Sequence, residues 1–257
     1  MTGTAAPIAA IDLTKQYGSL RAVDNLDLQV SAGELFCFLG PNGAGKTTTI
    51  KMLVGLTKPT AGTVRIGGID VWDEPVQAKA LIGYVPDAAA LYQQLTAREF
   101  LNFVADVFRL DRRVRATRIE RLLDRFELSD DADQLLGGYS RGMRQKVVIS
   151  AALLHEPRVL FLDEPTVGLD PKAARTLKDL LREACDGGTA VFMSTHILEV
   201  AETMADSVGI IQKGRLLFQG SVPQLRQYQQ GTEADSLEEL FLQLTGDKAT
   251  AGREGQG

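Results

Sequence analysis

The chain has 257 residues, 44% of them apolar, enough for a full core in one large domain or two small ones. Its 28 Lys and Arg stand against 33 Asp and Glu, and the net charge of -5 argues against bulk electrostatic binding to nucleic acid or anionic lipid. No apolar run approaches the roughly 18 residues of a membrane span, the N-terminus lacks a signal peptide's basic-then-apolar pattern, and Cys37 and Cys185 read as two reduced thiols.

In chain order, Leu26, Leu28 and Val30 alternate with Asp27 and Gln29, the pattern of a half-buried strand. Glu34 to Leu39 reads as a buried strand that runs into a glycine-rich loop. A helix from Lys46 to Leu56 follows, with Ile50, Leu53 and Val54 at helical spacing. Val64 and Ile66 lie in a short strand. From Thr96 to Leu136 the texture is helical: Thr96 and Glu99 form a capping box, and the stripe Phe100, Phe103, Val104, Val107, Phe108 reads as a core face. Ile119, Leu122, Leu123 and Phe126 make a second such stripe. A helix through Val147 to Leu154, a buried strand Val159 to Leu162, a helix Lys172 to Ala184 and a strand Ala190 to Met193 return the chain to α/β texture. Val208 to Phe218 reads as a hairpin turning at Lys213-Gly214, and the small, polar tail from Ala249 is expected to be disordered.

Three stretches carry chemistry. In FLGPNGAGKTTTI, Gly40, Gly45, Lys46 and Thr47 satisfy GxxxxGK[ST]. Phosphate oxygens need converging donors, and bare backbone amides at a helix N-terminus supply them. Lys46 would reach the β- and γ-phosphates, Thr47 would ligate Mg²⁺, and Thr48 is placed for the α-phosphate. A glycine-rich helix cap would not need the lysine at that place. In VLFLDEPTVGLDP, Asp163 and Glu164 end an apolar strand, where acids are costly unless a cation or a reaction uses them. Asp163 is expected to hold Mg²⁺ through water, and Glu164 to polarise a water in line with the γ-phosphate. In GGYSRGMRQKV, Ser140 caps a helix and Gly142 leaves its amide bare, a second anion seat. An ordinary capped helix reads the same way. Two such seats suit a dimer in which each chain closes over the other's nucleotide.

The order of these motifs resembles the ATP-binding subunits of ABC transporters, from about Ile11 to Gly246. The resemblance implies a P-loop NTPase α/β core with a small antiparallel β subdomain, residues 1–86 and 156–220. It implies an inserted all-helical signature subdomain, 87–155, and a short C-terminal helix and flexible tail, 221–257. Tyr17 matches the adenine-stacking aromatic, and Tyr17, Val23, Gly40, Pro41, Asn42, Gly43, Ala44, Gly45, Lys46, Thr47 and Thr48 form the implied ATP-binding set. YSRGM stands where the family reads LSGGQ: Ser140 and Gly142 are kept, whereas Arg141 replaces a glycine and Met143 the glutamine. Val167 to Asp170 matches the D-loop, and His196 the switch histidine. Asp87 stands where a glutamine is usual. It can still accept from metal-bound water but lacks an amide donor.

The implied activity is ATP hydrolysis, with ATP and Mg²⁺ as cofactors. The implied partners are a second ATP-binding subunit and an integral membrane permease, contacted near Asp87 to Leu95, at the cytoplasmic face of the membrane. Only about forty residues follow the hairpin, which favours an exporter-like branch. The rival readings are a soluble ABC-type ATPase not coupled to transport, and a small-molecule kinase. The first would usually need a coiled-coil insertion or a fused second unit. The second leaves Ser140, Asp170 and His196 unexplained.

Overall fold

The computed structural model describes residues 6–88, 91–230 and 237–244. The tail from Ala249, and Ala89 and Ala90 of the expected permease contact, lie outside the described residues.

The chain opens with β1 (Ile8–Tyr17), β2 (Leu20–Val30) and β3 (Leu35–Leu39), then α1 (Lys46–Leu53). Next come β4 (Ala61–Ile66), β5 (Ile69–Asp70), α2 (Pro75–Ala80) and β6 (Ile82–Val85). Three helices follow, α3 (Ala97–Val107), α4 (Arg112–Arg125) and α5 (Arg141–Leu153). The α/β part resumes with β7 (Val159–Asp163), α6 (Pro171–Asp186), β8 (Ala190–Thr195) and α7 (Leu198–Met204). A hairpin of β9 (Ser207–Gln212) and β10 (Arg215–Ser221) precedes α8 (Val222–Gln230) and α9 (Leu237–Leu244).

Two sheets result. One is antiparallel, in the order β2-β1-β4-β5; the other runs β10-β9-β3-β8-β7-β6. In the second, β9, β3, β8, β7 and β6 are parallel and only β10 turns back. All five residues of β3 and of β7 are buried, as expected of parallel strands covered on both faces. Strand alternation divides them between two cores. Leu35, Cys37, Leu39, Leu160 and Leu162 pack on the side of α3 to α6, and Phe36, Phe38, Val159 and Phe161 on the side of α1 and the antiparallel sheet.

On that second side Phe192 sits at the hub of an aromatic cluster, with ring centroids 5.3, 5.2 and 5.6 Å from Phe36, Phe38 and Phe161. Phe192→Ala is expected to lower stability by about 3–5 kcal/mol, read by urea denaturation. A loss below about 1 kcal/mol would mean that these rings do not act as one packed unit.

One expected core face is corrected. The buried residues of α3 are Ala97, Leu101 and Ala105, while Phe103 and Val107 are exposed and Phe100 and Val104 are half-buried at the core's edge. The helix is apolar around more than half its girth, so aromatic content does not indicate which side faces in. The second stripe, Ile119, Leu122, Leu123 and Phe126, is buried. The Thr96–Glu99 capping box is formed in both directions. Both cysteines are buried and free. Burial pushes the Cys185 thiol up to about 11 and that of Cys37 further still, so neither is a nucleophile at neutral pH.

Candidate active site

The parallel strands β9, β3, β8 and β7 end side by side, and a cleft of about 600 Å³ opens above them. The loop after β3 forms its floor. Gly43 and Gly45 have φ of 80° and 113°, which side chains rarely adopt. A Cβ on Gly40 would also lie 2.5 Å from the Ile211 carbonyl, and one on Gly45 2.6 Å from that of Ala22. Gly43 is therefore required by φ, Gly40 by close backbone approach, and Gly45 by both. No side chain caps α1 and its first turn carries no acid, so its free amides and dipole favour an anion. Lys46 is buried and donates to the Gly40 carbonyl at 2.7 Å and the Pro41 carbonyl at 3.4 Å. Pro41, Asn42, Gly43, Gly45, Lys46, Thr47 and Thr48 all line the cleft, whereas Gly40 and Ala44 lie beneath the loop.

The acids come from the end of β7. In register across the sheet, Asp163 pairs with Ser194 of β8, and the Ser194 hydroxyl donates to Asp163 Oδ1 at 2.6 Å. Burial holds the Asp163 carboxyl above the usual carboxylate range; the Ser194 and Thr47 hydroxyls pull it down, and the Asp87 and Glu164 charges push it up. Its Oδ2 is buried with no partner. An orphaned carboxylate oxygen is costly to bury unless a cation satisfies it. Beside Thr47, this oxygen fits the outer sphere of a Mg²⁺. Among the described residues no three acidic, His or Cys side chains form a metal cage.

Glu164 adopts φ of 51°, a conformation worth about 1–3 kcal/mol of strain. Its amide is held by Ser194, through the hydroxyl at 3.1 Å and the carbonyl at 3.3 Å. The carboxylate lies in the cleft, Oε1 3.4 Å from Lys46 Nζ and Oε2 accepting from His196 Nδ1 at 3.0 Å. A carboxylate only accepts, so this bond places the imidazole proton on Nδ1.

Ser140 and Gly142 lie elsewhere. They begin α5, where the Ser140 hydroxyl accepts from the Met143 amide at 3.2 Å. Neither lines the cleft above the strand ends. The start of α5 rests instead on the segment after Glu164. A Cβ on Gly142 would lie 2.8 Å from the Gly168 carbonyl, and one on Gly168 would lie 3.3 Å from Arg141 Nε. Gln145 donates to the Pro165 carbonyl at 3.3 Å, and Lys146 pairs with Asp170 at 3.5 Å.

Tyr17 is half exposed at the cleft's far end, with Lys15 Nζ 4.9 Å above its ring. Val23 is misplaced by the sequence pattern: it is fully buried in the core, and its neighbour Ala22 faces the cleft. Alternation along β2 explains the one-residue error. Asp87 is exposed and lines the same cleft. Its charge is among those that push the Asp163 carboxyl up, after burial. Asp87 also lines a second cleft, of about 430 Å³, with Arg141 and Arg144. Leu20, Arg21, Ser194 and Lys213 were missed as site residues. Ser194 stood two residues before His196, and Lys213 was read only as a turn residue.

The family described as ABC transporter matches residues 23–167. The chain is 38% identical over 221 residues to daunorubicin resistance ATP-binding protein DrrA3 of Streptomyces coeruleorubidus, a match covering 86% of this chain and 70% of that one. It is 41% identical over 211 residues to the bacitracin transport ATP-binding protein BcrA of Bacillus licheniformis, covering 82% and 68%. A solved ATP-binding subunit of an ABC transporter superposes with a TM-score of 0.88 at 34% identity, over 93% of this chain and all of that one. An ATP-binding cassette solved as a dimer in a post-hydrolysis state with ADP and Pi gives 0.77 at 27% identity, over 84% and 98%. With a phosphate loop, an acid pair and a histidine gathered at the strand ends, the chain belongs to the ABC transporter family and is one of its ATP-binding, ATP-hydrolysing subunits.

Proposed function

We propose that this subunit pairs with a second ATP-binding subunit around two Mg-ATP and drives a membrane permease, in the direction of export. The observation that carries the reading is the separation of two anion-seating helix starts on one chain. The α1 start lines the cleft with Lys46, whereas the α5 start with Ser140 and Gly142 does not. A partner's α5 would complete the site over the γ-phosphate. Relatives named for daunorubicin resistance and bacitracin transport support the export direction.

In this reading Tyr17 stacks on adenine, the loop amides and Lys46 hold the β- and γ-phosphates, and Thr48 meets the α-phosphate. Thr47, and Asp163 through water, would hold Mg²⁺, which would neutralise phosphate charge. Glu164 accepts a proton from the water that attacks the γ-phosphorus, while the bond to the β–γ bridging oxygen breaks and ADP leaves. His196 fixes the Glu164 carboxylate and meets the γ-phosphate. Residues 87–155 move as an insert, because their α5 rests on the segment that follows Glu164.

The permease contact is proposed at Asp87 to Leu95 and the adjoining face of α3. Tyr92 and Phe103 are exposed there with their rings edge to face at 6.0 Å, and Val107 is exposed beside them. Among the described residues no helix is long and apolar enough to cross a membrane; the proposed attachment to the cytoplasmic face is through the permease.

The test is co-purification with an integral membrane protein that stimulates ATP hydrolysis. In that complex Asp87→Ala should weaken the stimulation. ATP affinity of the isolated subunit should stay within about tenfold, the scale of one lost water-mediated contact. Asp87→Gln should restore coupling. If both variants match wild type, Asp87 has no coupling role. If no membrane protein accompanies the subunit, the transport reading fails.

A further inference from the structure

The cleft has an order along it that the sheet imposes. The parallel strands lie as β9, β3, β8, β7, and their C-terminal ends carry in turn Lys213, the phosphate loop, His196 and Glu164. Hydrolysis belongs to the Glu164 and His196 end. Lys213 therefore stands at the other end of the same cleft, on the side of Tyr17, Leu20 and Ala22.

Its position is fixed by the backbone. Lys213 has φ of 47°, and Gly214 beside it 79°. The turn is bonded directly to the phosphate loop, the Gly214 amide donating to the Ala44 carbonyl at 2.8 Å. It is bonded equally to β2, the Asp24 amide donating to the Gly214 carbonyl at 2.8 Å. A Cβ on Gly214 would fall 2.7 Å from the Ala22 carbonyl, so the turn packs directly against the cleft wall.

The charges around it are unequal. Arg21 and Arg215 both sit on Asp24, at 2.8 and 2.7 Å, and together they hold its carboxyl below the usual range, Arg215 first. Both guanidiniums are thus tied to Asp24, which neutralises one of the two charges. Lys213 lines the cleft, and among the described residues no carboxylate pairs with it. An unneutralised ammonium on a turn locked to the phosphate loop, at the end away from the hydrolysing groups, suits the innermost phosphate of a nucleotide.

We propose that Lys213 is a nucleotide-binding residue whose ammonium meets the α-phosphate. The inference rests on the reading of this cleft as the ATP site. Lys46 serves the outer phosphates, of which ADP lacks the γ. Lys213 serves a group that ATP and ADP both possess, and so contributes affinity without distinguishing substrate from product.

The test is titration of the full chain with a fluorescent ATP and a fluorescent ADP, for wild type, Lys213→Met, Lys213→Arg and Lys46→Ala. Methionine keeps the aliphatic stem and meets the same left-handed backbone, so it removes only the charge. Lys213→Met is expected to weaken ATP and ADP by the same factor, about fivefold. The salt dependence of binding should also flatten, and Lys213→Arg should recover most of the loss. Unchanged affinity in Lys213→Met, alongside loss of ATP in Lys46→Ala, overturns the role of Lys213 and leaves the ATP site standing. A loss confined to ATP, or one that arginine does not rescue and that tracks a lowered Tm, also overturns it. Normal ATP binding by Lys46→Ala would instead remove the reading of the cleft on which the inference rests.

Discussion

Glu164→Gln is expected to keep ATP and Mg²⁺ and to lower phosphate release by about a hundredfold or more, the scale of a lost general base. The geometry says why binding survives. Gln is nearly isosteric, meets the same φ of 51° and keeps an acceptor for His196 Nδ1, which stands 3.0 Å from Oε2. Its neutral amide no longer draws Lys46, now 3.4 Å from Oε1, so the lysine is freer to engage phosphate. The amide cannot take the proton of the attacking water, so the ATP-bound state persists. Size-exclusion chromatography with and without ATP, beside a phosphate-release assay, should show an ATP-dependent dimer that does not turn over. A variant that hydrolyses normally, or that no longer binds ATP, would deprive Glu164 of the role of base.

The parts of this site visible in the sequence are those made by contiguous residues. The loop from Gly40 to Thr48 is legible because backbone amides, glycine freedom and the helix start are all local, and the spacing alone encodes them. Asp163 and Glu164 are legible because acids that close the apolar run VLFL are costly to bury without a cation or a reaction to use them. What is not legible arises from the sheet order. Ser194 becomes the donor to Asp163 only because β8 lies beside β7 in the register that pairs them. Lys213 enters the cleft only because β9 lies beside β3, although Leu39 and Lys213 are 174 positions apart in the chain. Val23 fails for a smaller reason of the same kind, since one residue along a strand exchanges core for cleft. In α3 the error is one of face: Phe103 and Val107 have the composition of a core and the exposure of a contact surface.

Lys46→Ala is expected to remove most ATP binding, and turnover with it. The residue combines burial with charge: its side chain is 6% exposed, and Nζ lies 2.7 Å from the Gly40 carbonyl and 3.4 Å from Glu164 Oε1. The ammonium is thus held at the centre of the loop, between its carbonyls and the Glu164 carboxylate, before any phosphate is considered. Truncating one member of a buried, hydrogen-bonded charge pair costs about 2–5 kcal/mol, a loss of roughly thirtyfold to several thousandfold in affinity. No neighbour can take its place. The other cations near the cleft, Arg21 and Lys213, lie towards its Tyr17 end, and Arg21 is paired with Asp24 at 2.8 Å. Lys46→Arg should fare little better, because a planar, longer guanidinium cannot occupy the point that a compact ammonium fills between the Gly40 and Pro41 carbonyls. The loop itself should survive the change, since its course is set by Gly43 and Gly45 at φ of 80° and 113° and by the Ala44 amide bonding to Pro41. Thermal unfolding near that of wild type, with ATP binding lost, is therefore the expected pair of results. Turnover close to wild type would mean that the loop does not hold phosphate, and the assignment of every other residue in the cleft would fall with it.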